Sequence, residues 1–184
     1  SKAPAMMGAS KYQSRNDLLR LMHTGMTEEI SADKQALFDS GHAAEAAARI
    51  LVEKRLGYPL FVLTATDDAG YLLASFDGIN EARTTGWECK LWNEELAAQV
   101  RARELPPMYY WQLEQQILLG GLKRVIFTVS DGTQEKSVHM EYRAVPGRAE
   151  QLIAGWKQFD QDLAAYRPVE VLPAAVAAPT MALP

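Results

Sequence analysis

Three short segments of β type in the first half of the chain constrain the fold more than any other feature. Residues 60–66 and 71–76 are mostly apolar or aromatic, and the turn signal Asp67-Asp68-Ala69-Gly70 lies between them. A second turn at residues 77–80 leads into residues 84–91, which are rich in β-branched and aromatic side chains. The pattern predicts three consecutive strands of one sheet.

Helical patterns lie on both sides of these strands. Apolar residues recur at spacings of three and four over residues 31–56, which predicts one long helix or two helices joined near Gly41. The predicted order is a mixed α/β or α+β layout with helices around a central five-stranded sheet. The other helices are predicted at residues 16–24, beginning at Asn16-Asp17, and at 93–103, 108–119 and 148–166, and the last two strands at 122–129 and 137–145.

Composition and charge limit what such a chain can bind. With 184 residues and 48% hydrophobic content, we expect one domain over residues 1–167. The net charge of −4 gives no general attraction to a polyanion, so DNA binding would require a local basic patch. The single cysteine, Cys89, excludes an internal disulfide framework and a cysteine-based zinc cluster, and it fits a reducing, cytoplasmic compartment.

Neither end of the chain indicates a membrane protein. The sequence has no run of about 18 consecutive apolar residues, and its first residues do not resemble a signal peptide. Residues 168–184 are almost wholly Pro, Ala, Val and Leu, so we expect an extended tail that is loose or packed on a neighbour. We therefore expect a soluble protein without membrane contact.

The chemically informative residues are Asp77, at the end of one predicted strand, and Glu88-Cys89-Lys90 on the next. Residues two apart on a strand face the same side, so Glu88 and Lys90 project together and Cys89 points to the other face. Two carboxylates, an ammonium group and the Cys89 carbonyl can thus converge. Glu45, an acid amid alanines on the early helix, could bind a metal directly or through water.

Oxygen donors of this kind suit a hard divalent cation. Mg²⁺ takes one or two carboxylates and keeps several waters, which leaves room for a phosphate oxygen and an attacking water. Lys90 could orient or deprotonate that water, so the constellation predicts phosphodiester hydrolysis. Asp77-Gly78 alone is more often a turn, however, and from the residues alone a metal-dependent hydrolase and a chance arrangement remain equally open.

Five segments, taken in order, form a pattern that is far more specific than any one of them. They are residues 1–12 (Ser-Lys-Ala-Pro-Ala-Met-Met-Gly-Ala-Ser-Lys-Tyr), Gly41-x3-Glu45, Ser75-Phe76-Asp77-Gly78, Glu88-Cys89-Lys90 and residues 109–116 (Tyr-Tyr-Trp-Gln-Leu-Glu-Gln-Gln). In this order they resemble the YqaJ-type viral recombinase group, which includes phage lambda exonuclease and sits within the PD-(D/E)XK nucleases. The resemblance covers roughly residues 1–165.

The resemblance implies a restriction-endonuclease-like core and a role for each matched residue. Asp77, Glu88 and the Cys89 carbonyl would bind the metal, Glu45 would be the helix-borne acid, and Lys90 would be the catalytic lysine. One departure is that Cys89 lies inside the triplet, whereas the family usually has Cys-Pro after it.

Other matched positions concern the nucleophile and the DNA end. Gln112 matches the family's helical glutamine, whose amide would hold the nucleophilic water or a DNA phosphate; the alternative is a solvent-facing helix residue. Ser1 stands where a family serine helps to receive a terminal 5′-phosphate. Glu114 replaces a second family glutamine, which puts that contact in doubt. The family's arginine for the 5′-phosphate precedes these segments, so we expect residues upstream of Ser1.

Basic and aromatic side chains could contact DNA. Residues 109–111 could stack on a frayed base, although aromatics at helical spacing are more often core. His23, His42 and His139 have no ligand spacing, and we assign none to a metal. Phosphate contacts would give affinity without sequence preference, and ordinary solvated charges are an equal alternative. The basic residues are Lys2, Lys11, Arg15 and Arg20 near the start, and Arg101 and Arg103 after the active-site strand.

Taken together, the resemblance implies a Mg²⁺-dependent 5′-to-3′ exonuclease on double-stranded DNA, with Mn²⁺ as a substitute, that leaves 3′ single strands for phage-type recombination. It also implies a homotrimeric ring threaded by DNA, a single-strand annealing protein as partner, and a phage or prophage protein in the bacterial cytoplasm. Two alternatives remain: an endonuclease of the same fold, and a non-catalytic DNA-binding subunit.

Overall fold

Five strands form the centre of the computed structural model, which describes residues 1–26 and 32–168. They are β1 Phe61–Thr66, β2 Leu73–Ile79, β3 Thr85–Leu91, β4 Arg124–Ser130 and β5 Ser137–Tyr142. The strands lie side by side in chain order, with β3 and β4 parallel and every other neighbouring pair antiparallel. The predicted mixed five-stranded sheet is confirmed.

Helices flank the sheet, and residues 32–56 form one continuous helix. The short first helix was not predicted, because four residues are too few to show a helical period. No helix in the described ranges is long and apolar enough to span a membrane. The helices are α1 Ala3–Met6, α2 Arg15–Thr24, α3 Ala32–Leu56, α4 Glu94–Arg101, α5 Pro107–Gly120 and α6 Arg148–Ala165.

Local capping chemistry sets the ends of α2. The Ser14 side chain accepts a hydrogen bond from the Asp17 N–H, and Asp17 in turn accepts from the Ser14 N–H. This capping box places the start of the helix at Ser14 rather than at Asn16-Asp17, as the sequence had indicated. Gly25, with φ of 67°, ends the helix in the left-handed conformation that glycine adopts readily.

The helices pack in layers around the sheet. α4 and α5 cover one face, where Phe76, Leu113 and Phe127 are buried, and α3 covers the other face at Trp87 and Val52. On the side of α5 away from the sheet, α1, α2 and α6 form a further apolar cluster with Trp111. Helix α5 is therefore buried on two sides, and its side chains have fixed positions relative to the strands.

Strands β2 and β3 separate soon after the turn that joins them. They pair only at Gly78 with Trp87 and at Ile79 with Gly86, whereas β3 stays paired with β4 over seven residues. Beyond Trp87, β3 therefore follows β4 and leaves the edge of β2. Asp77 lies at the point of separation, so its side chain faces the gap between the two strands.

The prediction of a turn at residues 77–80 is wrong, because β2 continues through Asp77 to Ile79. The turn comes later, where the Asn80 side-chain oxygen accepts hydrogen bonds from the N–H groups of Thr84 and Thr85, both at 2.9 Å. Gly78 lies inside the strand. The position suits glycine because a Cβ there would stand 2.9 Å from the Leu60 Cβ.

Further strand boundaries differ from the predicted ones, and two of the differences have a clear local cause. β2 begins at Leu73, because the Asp67 carboxylate accepts the N–H groups of Tyr71 and Leu72 and draws them into the turn. β5 ends at Tyr142, and the Val145 N–H donates instead to the Glu114 carboxylate. The predicted helix start at residue 31, and the predicted tail beyond residue 168, lie outside the described residues.

We predict that Gly78→Ala lowers the free energy of unfolding by about 1 to 3 kcal/mol, because the new methyl group must displace Leu60 or Trp87. Urea unfolding followed by circular dichroism measures the change. Gly41→Ala is the matched control: nothing lies within 4 Å of a Cβ on this helical glycine. The control should gain about 0.5 to 1 kcal/mol, and equal stability of Gly78→Ala and wild type would contradict the packing argument.

Candidate catalytic site

The gap between β2 and β3 brings together the three residues that the sequence singled out. The Asp77 carboxylate accepts a hydrogen bond from the Cys89 N–H at 2.8 Å, so a side chain of β2 takes the place of a main-chain partner for β3. On β3, the Lys90 ammonium group donates to Oε1 of Glu88 at 2.5 Å. Two carboxylates and one ammonium group thus meet at the same point of the sheet.

Glu88 is a buried acid, with 2% of its surface exposed. A buried carboxylate is tolerated only when hydrogen bonds or opposite charges replace its hydration. Lys90 and Gln112 both donate to Oε1, the latter at 2.6 Å, and Gln116 donates to Oε2 at 2.6 Å. Gln112, although partly exposed, therefore directs its amide into the site.

Gln116 is a site residue that the sequence interpretation missed. It is 1% exposed, and its Nε2 group donates both to Glu88 and to the main-chain carbonyl of Ser75 on β2, at 2.9 Å. Its spacing of four from Gln112 puts both amides on one face of α5. The spacing of four between Gln112 and Gln116 was the available signal.

The electrostatics of the site follow from burial. Burial and then the Glu88 charge raise the pKa of Asp77 to about 7, although the Cys89 N–H and the Lys90 charge oppose the change. Burial alone would lower the pKa of Lys90, but the charge and hydrogen bond of Glu88 outweigh it and raise that pKa. Lys90 is therefore an ammonium ion at neutral pH. Burial also raises the pKa of the Cys89 thiol to about 12, so the thiol of the metal-free protein is protonated at neutral pH.

Glu45 and Ser1 lie at the margin of the site. Glu45, on α3, is close enough to Asp77 and Cys89 to raise their pKa values, but Arg49 donates to its carboxylate at 3.0 Å. Ser1 is within electrostatic range of Asp77, Glu88 and Lys90, and its hydroxyl accepts the Ala3 N–H at 3.3 Å. Glu45 and Ser1 therefore lie at the edge of the site, and within the described residues neither forms a hydrogen bond with Asp77 or Glu88.

The residues present fit a divalent cation that prefers oxygen. Glu88 is buried and Asp77 half-buried, their carboxylates repel each other, and the Cys89 carbonyl belongs to the residue between Glu88 and Lys90. Within residues 1–26 and 32–168, no three His, Cys, Asp or Glu side chains form a ready-made metal site. Two carboxylates with one carbonyl and several waters nevertheless match the usual coordination of Mg²⁺.

The basic residues proposed for DNA have different surroundings. The Arg15 guanidinium donates to the Met6 carbonyl and to Asp162, at 3.1 and 2.6 Å, and so joins α2 to α1 and α6. Arg101 lies over the ring of Trp92, 5.6 Å from its centroid, and Lys2 is exposed. Lys2 and Arg101 are therefore the more accessible of the predicted phosphate contacts.

The other predicted basic residues lie elsewhere. Arg20 is 3.5 Å from Asp17, and Lys11 lies over the Tyr12 ring at 5.3 Å. Arg103 lines a groove of about 620 Å³ that also contains Arg124 and Arg143. Arg124 is paired with Thr85 at the start of β3, whereas Lys90 is paired with Val129 near its end. The groove at Arg124 therefore lies at the end of the sheet away from Lys90.

The aromatic residues of α5 pack within the protein. The Tyr109 ring lies 5.4 Å from that of Phe127, Trp111 is 7% exposed, and Arg148 stacks on Tyr110 at 3.6 Å. These contacts favour the core alternative over base stacking. Of the histidines, His23 contacts the Tyr166 ring, His42 is exposed and His139 lines the arginine groove.

We predict that Asp77→Asn stabilises the metal-free protein at alkaline pH. The folded-state pKa of Asp77 is raised from 3.8 to about 7, so its contribution to the free energy of unfolding falls as the pH rises from about 4 to 7. Asparagine removes this loss and can still accept the Cys89 N–H. In urea unfolding with a chelator, the advantage of the variant should grow by about 1 to 3 kcal/mol between pH 5 and pH 8.5. A difference that is constant with pH would contradict the assignment.

The fold is shared with a known exonuclease. Two crystal structures of the alkaline exonuclease LHK-Exo from Laribacter hongkongensis, one in complex with dAMP, superpose with TM-scores of 0.71 and 0.70. Each is 19% identical in sequence and covers 89% of this chain and 86% of its own. This likeness confirms the predicted PD-(D/E)XK fold.

The sequence itself gives the family. No curated protein is significantly similar to the chain. The family model for the YqaJ-like viral recombinase domain matches residues 1–123, which include Glu45, Asp77, Glu88, Lys90 and Gln112. This match confirms the resemblance noted in the sequence, and with the shared fold it supports the expectation of a DNA nuclease. The chain therefore belongs to the family of YqaJ-like viral recombinase domains.

Proposed function

We propose that the chain is a divalent-metal-dependent exonuclease that degrades double-stranded DNA from a 5′ end and leaves 3′ single strands for recombination. The observation that carries the proposal is the meeting of Asp77, Glu88 and Lys90 in the gap between β2 and β3. The shared fold adds support, since LHK-Exo is an exonuclease whose structure was solved with dAMP, a mononucleotide of the kind an exonuclease releases.

The Asp77 and Glu88 carboxylates and the Cys89 carbonyl would hold the metal, for which we propose Mg²⁺, with Mn²⁺ as a substitute. When bound, such a cation supplies Lewis acidity and lowers the pKa of a bound water. Glu45 would contribute through water, because Arg49 already neutralises its charge. The burial of Glu88 keeps its carboxylate in one orientation, which favours a defined position for the cation.

Lys90 and Gln112 would act on the substrate. Both donate to the same oxygen of Glu88, and both keep contact with solvent. Because the pKa of Lys90 is raised, its ammonium group would orient the attacking water and attract the phosphate rather than serve as a base. The Gln112 amide would hold the same water or a phosphate oxygen.

The DNA end would be received near the start of the chain. Ser1 lies within electrostatic range of the carboxylates, and Lys2 is exposed beside it. We propose these two residues and Arg101 as phosphate contacts, whereas Arg15 would act indirectly by fixing α2. A homotrimer around DNA, a single-strand annealing partner and a site of action in the bacterial cytoplasm complete the proposal, and they rest on family resemblance.

Asp77→Ala should abolish digestion of linear duplex DNA in Mg²⁺, with a loss of at least about 100-fold, because outer-shell changes at metal sites already cost 10 to 100-fold. Asp68→Ala, an acid exposed in the β1–β2 turn, is the matched control and should digest DNA at the wild-type rate. Release of acid-soluble nucleotides measures both. Retained activity in Asp77→Ala would remove the assignment, and nicking of covalently closed circular DNA would favour the endonuclease alternative.

Duplexes with 5′-phosphate ends should be degraded faster than the same duplexes with 5′-hydroxyl ends, because Ser1 and Lys2 offer donors to an anionic end. Substrates labelled at the 5′ or the 3′ terminus give the polarity in the same assay. Early release of the 5′ label as a mononucleotide is the expected result. Equal rates for both kinds of end would contradict a phosphate pocket, and early release of the 3′ label would contradict the proposed direction.

A further inference from the structure

The edge of β2 that β3 leaves is completed by side chains of α5. The carbonyls of Leu73 and Ser75 on this edge accept hydrogen bonds from the Nε2 groups of Gln115 and Gln116, at 2.7 and 2.9 Å. Both glutamines are buried, at 2% and 1% exposure. Two amide groups of a helix therefore occupy the place that a neighbouring strand would take.

Gln116 connects this edge to Glu88. Its second N–H donates to Oε2 of Glu88, so one amide bridges the main chain of β2 and an acid of β3. The amide cannot be reversed, because its oxygen would then face two acceptors. In the present orientation Oε1 of Gln116 is buried without a hydrogen-bond partner in the described part of the chain. The two bonds of Nε2 are thus kept although the oxygen is left unsatisfied.

Gln112 and Gln116 hold Glu88 in different ways. Gln112 and Lys90 both donate to Oε1 of Glu88, and both are partly exposed to solvent. Either group can therefore donate to a bound substrate in place of Glu88. Gln116 is enclosed and is the donor to Oε2, which leaves it no access to water or phosphate. Its influence on the reaction therefore passes through the two groups that it binds, Glu88 and the Ser75 carbonyl.

We propose that Gln116 is a positioning residue: by tying Oε2 of Glu88 to the Ser75 carbonyl, it fixes the Glu88 carboxylate relative to Asp77, two residues along β2, and so prepares the pair for a divalent cation. The inference rests on the proposed function. Groups that orient metal ligands change metal affinity by about 10 to 100-fold when they are removed.

Substitution of Gln116 by methionine tests the inference, because methionine has a similar length but cannot donate. Gln115→Met is the matched control: the neighbouring glutamine is equally buried and also binds a β2 carbonyl, but its other contact is Trp156 rather than Glu88. We expect Gln116→Met to weaken Mn²⁺ binding, measured by calorimetry, by about 10 to 100-fold. Its kcat should fall while KM for DNA stays unchanged. Gln115→Met should bind Mn²⁺ as wild type does, even if its Tm falls.

Gln116→Asn provides a second variant, since it keeps an amide in the core but is too short to bridge Ser75 and Glu88. It should weaken Mn²⁺ binding in the same direction. If both Gln116 variants bind Mn²⁺ as tightly as Gln115→Met while the wild type binds Mn²⁺ and digests DNA, the positioning role is overturned and the proposed function stands. If the wild type neither binds Mn²⁺ nor digests DNA, the proposed function itself fails.

Discussion

The separation of β2 from β3 after two residue pairs is the constraint on which the rest of the site depends. Because β3 follows β4, the Asp77 carboxylate can accept the Cys89 N–H, while Glu88 projects from the face of β3 that α5 covers. Because of this separation, the carbonyls of Leu73 and Ser75 have no strand partner on β3. The side-chain amides of Gln115 and Gln116 donate to them instead. An open strand pair, two acids and a helix with amide groups thus form one connected arrangement.

This arrangement stores electrostatic repulsion in the absence of a cation. Burial and the nearby charge of Glu88 raise the pKa of Asp77. Lys90 and the two amides offset the charge of Glu88, whereas Asp77 accepts a single N–H, that of Cys89, from the described residues. Apolar packing on both sides of the sheet and behind α5 stabilises the fold and offsets this repulsion. Sites that bind metals commonly sacrifice stability in this way for function.

The sequence predicted those parts of the structure that follow from periodicity and from ordered motifs. Strand alternation placed Glu88 and Lys90 together opposite Asp77, the acid amid alanines pointed to Glu45, and the family pattern pointed to Gln112. Asp77-Gly78 was interpreted as a turn because the crowding by Leu60 that requires glycine is a tertiary contact. Gln116 was missed since its role depends on a strand edge that only the register reveals. The pairing of Arg15 with Asp162 spans 147 residues and has no local signal.

The central claim is that Asp77, Glu88 and the Cys89 carbonyl together bind one divalent cation. An anomalous difference map from crystals of the wild-type protein soaked in Mn²⁺ tests it most directly, because the map locates the cation without reference to activity. The account predicts a peak in contact with both carboxylates and the Cys89 carbonyl. A map with no peak there, or with Mn²⁺ bound only to surface acids elsewhere, would contradict it.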